Sequence, residues 1–140
     1  MASEILSTIA ARLSSSPRLV TTWNVFGELL VADRAALRDG SPDRAVIVGA
    51  TAHGANLAAR ICDESSAEPT RMLRLAASLS AGSIALVSNS YVVRYVVPTA
   101  QLETAPLERI AHYLLDLAST LDAELRSTRA DVSALSHFAV

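Results

Sequence analysis

The chain has 140 residues, of which 51% are hydrophobic and only 4% aromatic, and 12 basic and 14 acidic residues give a net charge of −2. Every basic residue is an arginine and the arginines are scattered, so the sequence lacks the basic stripe of a nucleic-acid-binding protein. Without lysine the chain has no Walker A lysine, no pyridoxal Schiff base and no lysine general base. The length suits a single domain, 1–140, with one core.

Cysteine content and the N-terminus bear on the compartment. The single Cys62 cannot form an internal disulfide and is expected to be a small buried hydrophobe. The first residues lack the basic and apolar regions of an export signal, and no apolar run approaches the roughly 20 residues that span a bilayer. We therefore expect a cytoplasmic protein that does not bind a membrane.

A first helix is predicted between Ser3 and Ser15. Its apolar residues recur at helical spacing behind Ser3 as a possible cap, and Pro17 ends the segment. Residues 18–38 suit either strands or a helix, because β-formers around Trp23 overlap with apolar residues at helical spacing. The periodicity does not decide between them.

The middle of the chain alternates between clear and ambiguous segments. A turn is predicted over 39–42 and a strand over 45–48, whereas 55–62 fits a strand or a helix. The polar segment 63–69 is predicted to be a surface loop, and 70–79 a helix capped by its threonine.

Two β-rich runs, 83–88 and 91–97, are separated by Asn89-Ser90 and predict a β-hairpin, because asparagine tolerates the backbone of a tight turn. Pro98 lacks the N–H of a ladder, so it should end the second strand or mark an edge. Alternation gives one bulky face that should be core, namely Ile84, Leu86, Tyr91, Val93, Tyr95 and Val97. The opposite face is apolar but smaller, and it holds Ser83, Ala85, Val87, Val92, Arg94 and Val96.

A long amphipathic helix follows the hairpin, with Thr104 as its N-cap and Pro106 in its first turn. Its apolar stripe is Leu107, Ile110, Leu114, Leu117, Leu121 and Leu125. We expect this stripe to cover the bulky face of the hairpin, since an isolated hairpin is marginal in water. Over 127–140 the pattern weakens, which predicts a tail or one more short helix. The fold class is therefore α+β: an antiparallel sheet with an N-terminal, a middle and a long C-terminal helix packed mainly on one face.

No combination of residues identifies a reaction. Residues 49–54 have the glycine spacing of a phosphate loop, but Ala-Asn at 55–56 stands where lysine and Ser/Thr are required. Glu108, His112 and Asp116 share one helix face and could bind a metal, yet charged residues opposite an apolar stripe are ordinarily solvated. No Gly-x-Ser-x-Gly elbow orders a serine nucleophile. We expect no catalytic residue, no cofactor and no metal.

The smaller face of the hairpin is the candidate partner-binding surface, through Val87, Val92, Arg94 and Val96. A guanidinium between two valines must reach water, an acidic partner or a carbonyl. Arg94 is either a gatekeeper that protects an edge strand from unwanted pairing or a polar anchor in an apolar binding face. The high apolar content with few aromatics also suggests that a partner or a second copy covers some surface, and we expect a homodimer.

The C-terminal half resembles a known family. The segment from Met72 to Gly82, a strand and turn, the run 91–98 that ends in proline, and a final leucine-rich helix together are similar to type III secretion chaperone-like proteins and the related YbjN-like domains of bacteria. The short first helix, in a chain of this length, also suits them. The resemblance covers 70–126 best, and it rests on patterns of residue class.

The resemblance implies an α+β fold, a homodimer, and non-catalytic binding of an extended partner segment on apolar sheet surface and strand edges. Such chaperones are usually distinctly acidic, whereas this chain is only mildly so, which favours a chaperone-like adaptor over a dedicated effector chaperone. The resemblance to this family supplies no site residues. The alternatives are a structural subunit of a larger assembly and a small-ligand or metal sensor that uses Glu108, His112 and Asp116.

Overall fold

The computed structural model of the chain describes residues 2–35 and 45–138, and the side chains of 4–35 and 45–127. Along the sequence its helices and strands are α1 (Ala2–Ser14), β1 (Leu19–Trp23), β2 (Leu29–Asp33), β3 (Ala45–Thr51), β4 (Gly54–Asp63), α2 (Pro69–Ala77), β5 (Ser83–Val87), β6 (Ser90–Pro98) and α3 (Leu107–Phe138). Short 3₁₀ turns lie at Glu64–Ser66 and Thr99–Gln101. The turn predicted over 39–42 lies outside the described residues.

The strands form one six-stranded sheet in the order β1-β2-β3-β4-β6-β5, and every neighbouring pair is antiparallel. β1 to β4 follow one another as a meander, whereas β6 returns beside β4 and leaves β5 at the edge. With its three helices in the described part of the chain, this sheet confirms the predicted α+β class.

The core lies between α1, α3 and one face of the sheet, which we call the inner face. α1 contacts β1 and β3, and α3 contacts β4 and β6. The predicted leucine stripe of α3 is buried, with Leu117 only partly so. Alternate strand residues meet these helices, among them Leu29, Val31, Val46, Val48, Leu57, Val93 and Val97. Burying each large apolar side chain contributes roughly 1.5–3 kcal/mol, so this contact supplies most of the folding free energy.

Periodicity leaves 18–38 and 55–62 open, and the structure forms β1, β2 and β4 there. Between β1 and β2 the side chain of Asn24 closes a tight loop, because its Oδ1 accepts the backbone N–H groups of Phe26 and Glu28, both at 2.9 Å. β4 is hydrogen-bonded to β3 on one side and to β6 on the other. Pairing of β2 with β3 and of β4 with β6 therefore decides these two strands, and β1 is a strand through its pairing with β2.

The β5–β6 hairpin is confirmed, but its turn lies one residue earlier than predicted. Ser88 and Asn89 have positive φ values of 47° and 69°, as in a two-residue type I′ turn, and Val87 pairs with Ser90. The register differs by two residues from that of a turn at 89–90, and a change of two keeps every side chain on its predicted face. Burial differs at Leu86, which is half exposed because β5 is an edge strand beyond the strands that α3 contacts.

Two helices begin earlier than predicted. α1 begins at Ala2, so Ser3 lies inside the helix and is not its cap. α2 begins at Pro69, a residue favoured at the first helical position, so Thr70 is also internal. In both cases the helix itself is confirmed.

The long helix α3 begins later and ends later than its pattern suggests. It starts at Leu107, so Thr104 is not the N-cap, and the Thr104 hydroxyl donates instead to the carbonyl oxygen of Gln101 at 3.4 Å. Its backbone remains helical through Phe138. The helix thus includes most of 127–140, where a tail or a separate short helix is predicted.

Candidate functional site

The face of the sheet opposite α1 and α3, which we call the outer face, contains no buried side chain among the described residues. Its members are Val20 and Thr22 of β1, Leu30 and Ala32 of β2, Ala45, Ile47 and Gly49 of β3, Asn56, Ala58 and Arg60 of β4, Val92, Arg94 and Val96 of β6, and Ser83, Ala85 and Val87 of β5. Most of these residues are apolar. The outer face is therefore a broad apolar surface that none of the described helices covers.

All four residues predicted to bind a partner lie on the outer face. Val96 and Val87 are half exposed, Val92 is partly buried by its neighbours, and Arg94 is exposed. Val92, Arg94 and Val96 follow one another on β6, whereas Val87 lies on β5, at its end near the turn. The alternation of residues along the strands predicts their common face correctly, because the register of the hairpin fixes the face on which each side chain lies.

Arg94 is not an edge-strand gatekeeper, and that interpretation is wrong. β6 lies between β4 and β5, so its ladder is paired on both sides. The Nε of Arg94 donates to Ser83 Oγ on the neighbouring strand at 3.4 Å, a long bond that leaves the guanidinium exposed. The remaining interpretation of Arg94 is that of a charged group within an apolar surface.

Sequence reasoning missed the half of the outer face that β2 and β3 supply. Ile47 is 42% exposed there, and Leu30 lies beside it on the adjacent strand. The signal was present in the alternation of Leu29-Leu30-Val31 and Val46-Ile47-Val48, in which the outer residues Leu30 and Ile47 separate buried ones. It could not be used while residues 18–38 suited either a helix or strands.

Polar groups mark two places on the outer face. Beside β3, Glu28 accepts a hydrogen bond from Asn24 Nδ2 at 3.1 Å, and its other carboxylate oxygen would lie 3.9 Å from a Cβ on Gly49. At the opposite end of β4, Arg60 forms an ion pair with Asp63. Arg94 thus differs from Arg60, whose charge is paired within the chain.

The face of α3 that carries Glu108, His112 and Asp116 lies nearer the sheet than predicted. Glu108 accepts a hydrogen bond from Ser16 Oγ at 2.9 Å. A groove of about 410 Å³ is lined by His112 and Asp116 together with Pro17, Arg18, Asp33, Arg34 and Ala35. His112 Nε2 is buried there without a hydrogen-bond partner. Within the described residues, however, no three His, Cys, Asp or Glu side chains are grouped closely enough to hold a metal ion.

A second apolar feature is the loop between β1 and β2, which periodicity did not predict. Val25 and Phe26 are 93% and 84% exposed at its tip. The loop is held by the Asn24 hydrogen bonds and by Gly27 at a φ of 79°, so the two side chains are held away from the body of the protein.

The remaining sequence features are structural. Cys62 is buried in the core, as expected of a small hydrophobe. Residues 49–54 form the end of β3, a tight turn and the start of β4, with no helix following the glycines as a phosphate loop requires. None of the helices in the described part of the chain is both long and apolar enough to cross a bilayer.

No family model matches the chain, and no curated protein is similar to it in sequence. The class of protein is therefore defined by the fold and the surface alone: an α+β domain that carries its helices on one side of a six-stranded antiparallel sheet and exposes an apolar face on the other. The outer face is therefore the candidate functional site of this domain.

Proposed function

We propose that this chain is a non-catalytic protein-binding module, similar to a secretion chaperone or adaptor, and that the outer face is its contact surface. The observation that carries the proposal is the outer face itself, where apolar residues of six strands lie together and none of the described helices covers them. Apolar side chains in water gain nothing from folding, whereas burial against a partner contributes at most about 1.5–3 kcal/mol for each large one. A surface of this kind is typical of protein–protein contact.

The arrangement of charge supports the same proposal. Arg94 is exposed among Val92 and Val96, and the only hydrogen bond described for its side chain is the long one to Ser83. An arginine in an apolar surface can anchor a partner through carboxylate or carbonyl oxygens, and arginine is enriched at protein interfaces. The surface can therefore give both affinity and orientation.

The test places charge on the outer face. The double variant Val92→Asp with Val96→Asp should fold, because both side chains are at least partly exposed, but it should lose association with itself or with a partner protein. Circular dichroism and thermal melting would report folding, and light scattering and affinity capture would report association.

The matched control is Val93→Asp, on the same strand but fully buried on the inner face. An uncompensated carboxylate there should destabilise the fold severely. If the double outer variant unfolds and Val93→Asp is tolerated, the outer face is core and the proposal fails. Capture of one extended client would favour the adaptor role, whereas a stoichiometric complex with folded subunits would favour a structural subunit.

A further inference from the structure

We propose that the outer face binds a second copy of this chain, face to face, about a two-fold axis that runs along the strands between β3 and β4. The inference rests on the proposed function and names the partner on that surface. The size, the relief and the charge pattern of the outer face each support it.

The outer face is large enough for a dimer. Six strands at about 4.8 Å spacing, with five to ten residues each at about 3.4 Å per residue, give a face about 24 Å wide and about 17 to 34 Å long. That is on the order of 500 Å² before the relief of the side chains is counted, which approaches the roughly 800 Å² per partner of a stable interface. A two-fold arrangement buries the same apolar patch on both copies at once.

The relief of the two central strands, β3 and β4, is self-complementary about this axis. In the ladder between β3 and β4, Ile47 pairs with Ala58 and Gly49 pairs with Asn56. A two-fold axis between these strands sets each β3 residue of one copy opposite its β4 pairing partner of the other copy. Ile47 then meets Ala58, and Asn56 meets Gly49, so in both of these central rows a large side chain faces a small one. One strand further out, Leu30 of one copy lies opposite Arg94 of the other. Sheets that pack face to face, about 10 Å apart, interdigitate in this way.

The charges of the outer face are also complementary about this axis. β2 and β6 are each one strand beyond the central pair β3 and β4, so the axis places β2 of one copy opposite β6 of the other. Glu28 directly precedes β2, and Arg94 lies on β6. The strand pairing shows which residues are level with one another across the sheet. Glu28 lies two residues away from the position on β2 that is level with Arg94, a distance of about 7 Å along the strand. Two long side chains can span that offset and form a carboxylate–guanidinium pair twice in the dimer.

A dimer of this kind places β1 of one copy opposite β5 of the other, face to face, and leaves the outer backbone edge of each of these strands unpaired. An extended partner segment could therefore still pair with an edge strand while the outer faces cover each other. Opposed charges at the rim of such an interface chiefly fix its register and exclude other partners.

The test reverses each charge and then mixes the two variants. Arg94→Glu and Glu28→Arg, each alone, should raise the dimer dissociation constant at least about tenfold, because like charges would then face each other. Mixed in equal amounts they should form a heterodimer, since every Glu then faces an Arg. Light scattering against the monomer mass of 14.8 kDa, with native mass spectrometry of one tagged variant, would measure both results.

The control for net charge is Arg74→Glu on α2, which is exposed and lies away from the outer face. It should leave the dimer unchanged. A wild-type protein that is monomeric at 100 µM by this assay, charge variants that associate as wild type does, or a mixture that stays monomeric would each overturn the inference. A monomeric wild type whose partner binding is still lost in the Val92→Asp, Val96→Asp variant would leave the proposed function standing.

A second pair of variants tests the proposed axis if Glu28→Arg disturbs the β1–β2 loop and does not fold. Ala58→Ile alone should weaken the dimer, because isoleucine would meet Ile47 of the other copy. Ala58→Ile combined with Ile47→Ala exchanges the large and small positions and should restore the dimer. If the combined variant associates no better than Ala58→Ile, the proposed axis is wrong.

Discussion

Gly54 shows how a single residue supports the sheet. Its φ is 151°, a backbone conformation that residues other than glycine rarely adopt. A Cβ at this position would lie 2.1 Å from the backbone oxygen of Val97. This close approach lets β4 pair with β6 from its first residue, Gly54 opposite Pro98. The glycine at position 54 is therefore explained by strand geometry.

Replacing Gly54 should test that explanation. Gly54→Ala is expected to lower the free energy of unfolding by about 2–4 kcal/mol, because the backbone of β6 would have to move and the new residue would be strained. Urea denaturation would measure the change.

Gly49→Ala is the matched control for this substitution. A Cβ at Gly49 would meet only a carboxylate oxygen of Glu28 at 3.9 Å, an ordinary contact, so its effect should stay within about 0.5 kcal/mol. Equal losses of stability in the two variants would show that crowding by β6 is not the reason for glycine at position 54.

At the scale of an element, the β5–β6 turn uses residues that are not the best for its geometry. Ser88 and Asn89 both have positive φ, and a type I′ turn favours Asn-Gly at these two positions. Because serine is a poor residue for the first of them, a turn centred on Asn89-Ser90 looked more favourable from the sequence. The pairing of the strands outweighed the local preference.

Ser88→Asn together with Asn89→Gly should therefore stabilise the protein, by about 0.5–1 kcal/mol. Thermal melting would detect the increase. Asn89→Val provides the opposite change, because a β-branched residue is strained at positive φ, and its melting temperature should fall. If neither variant differs from wild type, the turn is not held in the conformation described.

At the scale of the whole molecule, two apolar surfaces among the described residues can be compared: the outer face and the tip of the β1–β2 loop. The tip exposes Val25 and Phe26, whereas the outer face is broad and carries charge as well. Of these two surfaces, the outer face has the larger extent, on the order of 500 Å² and so closer to that of a stable protein contact. The two surfaces should therefore respond differently to polar substitution.

Val25→Ser with Phe26→Ser is expected to change the free energy of unfolding by no more than about 0.5 kcal/mol, since both side chains are already in water. Association should also be unchanged, in contrast to the loss expected for Val92→Asp with Val96→Asp. Melting and light scattering on the two double variants, side by side, would compare them. Impaired association in the loop variant alone would move the contact surface from the sheet to the loop.

Local pattern in the sequence was sufficient for five parts of this protein. The type of α1, β3, α2, the β5–β6 hairpin and α3 could be predicted without knowing their neighbours. The faces of β6 followed from the same period, and with them the outward position of Val92, Arg94 and Val96. The turn position and the helix starts were less accurate, because competing local preferences there differ by little.

Tertiary structure alone decided the rest. Residues 29–33 and 54–63 are strands because they pair with β3 and with β6, and 19–23 is a strand because it pairs with β2; the periodicity of these segments also allowed a helix. Strand order placed β6 inside the sheet and β5 at its edge, which left Leu86 half exposed and excluded an edge role for Arg94. The outer face exists only when six strands from the whole chain lie side by side, so no single stretch of sequence could reveal its extent.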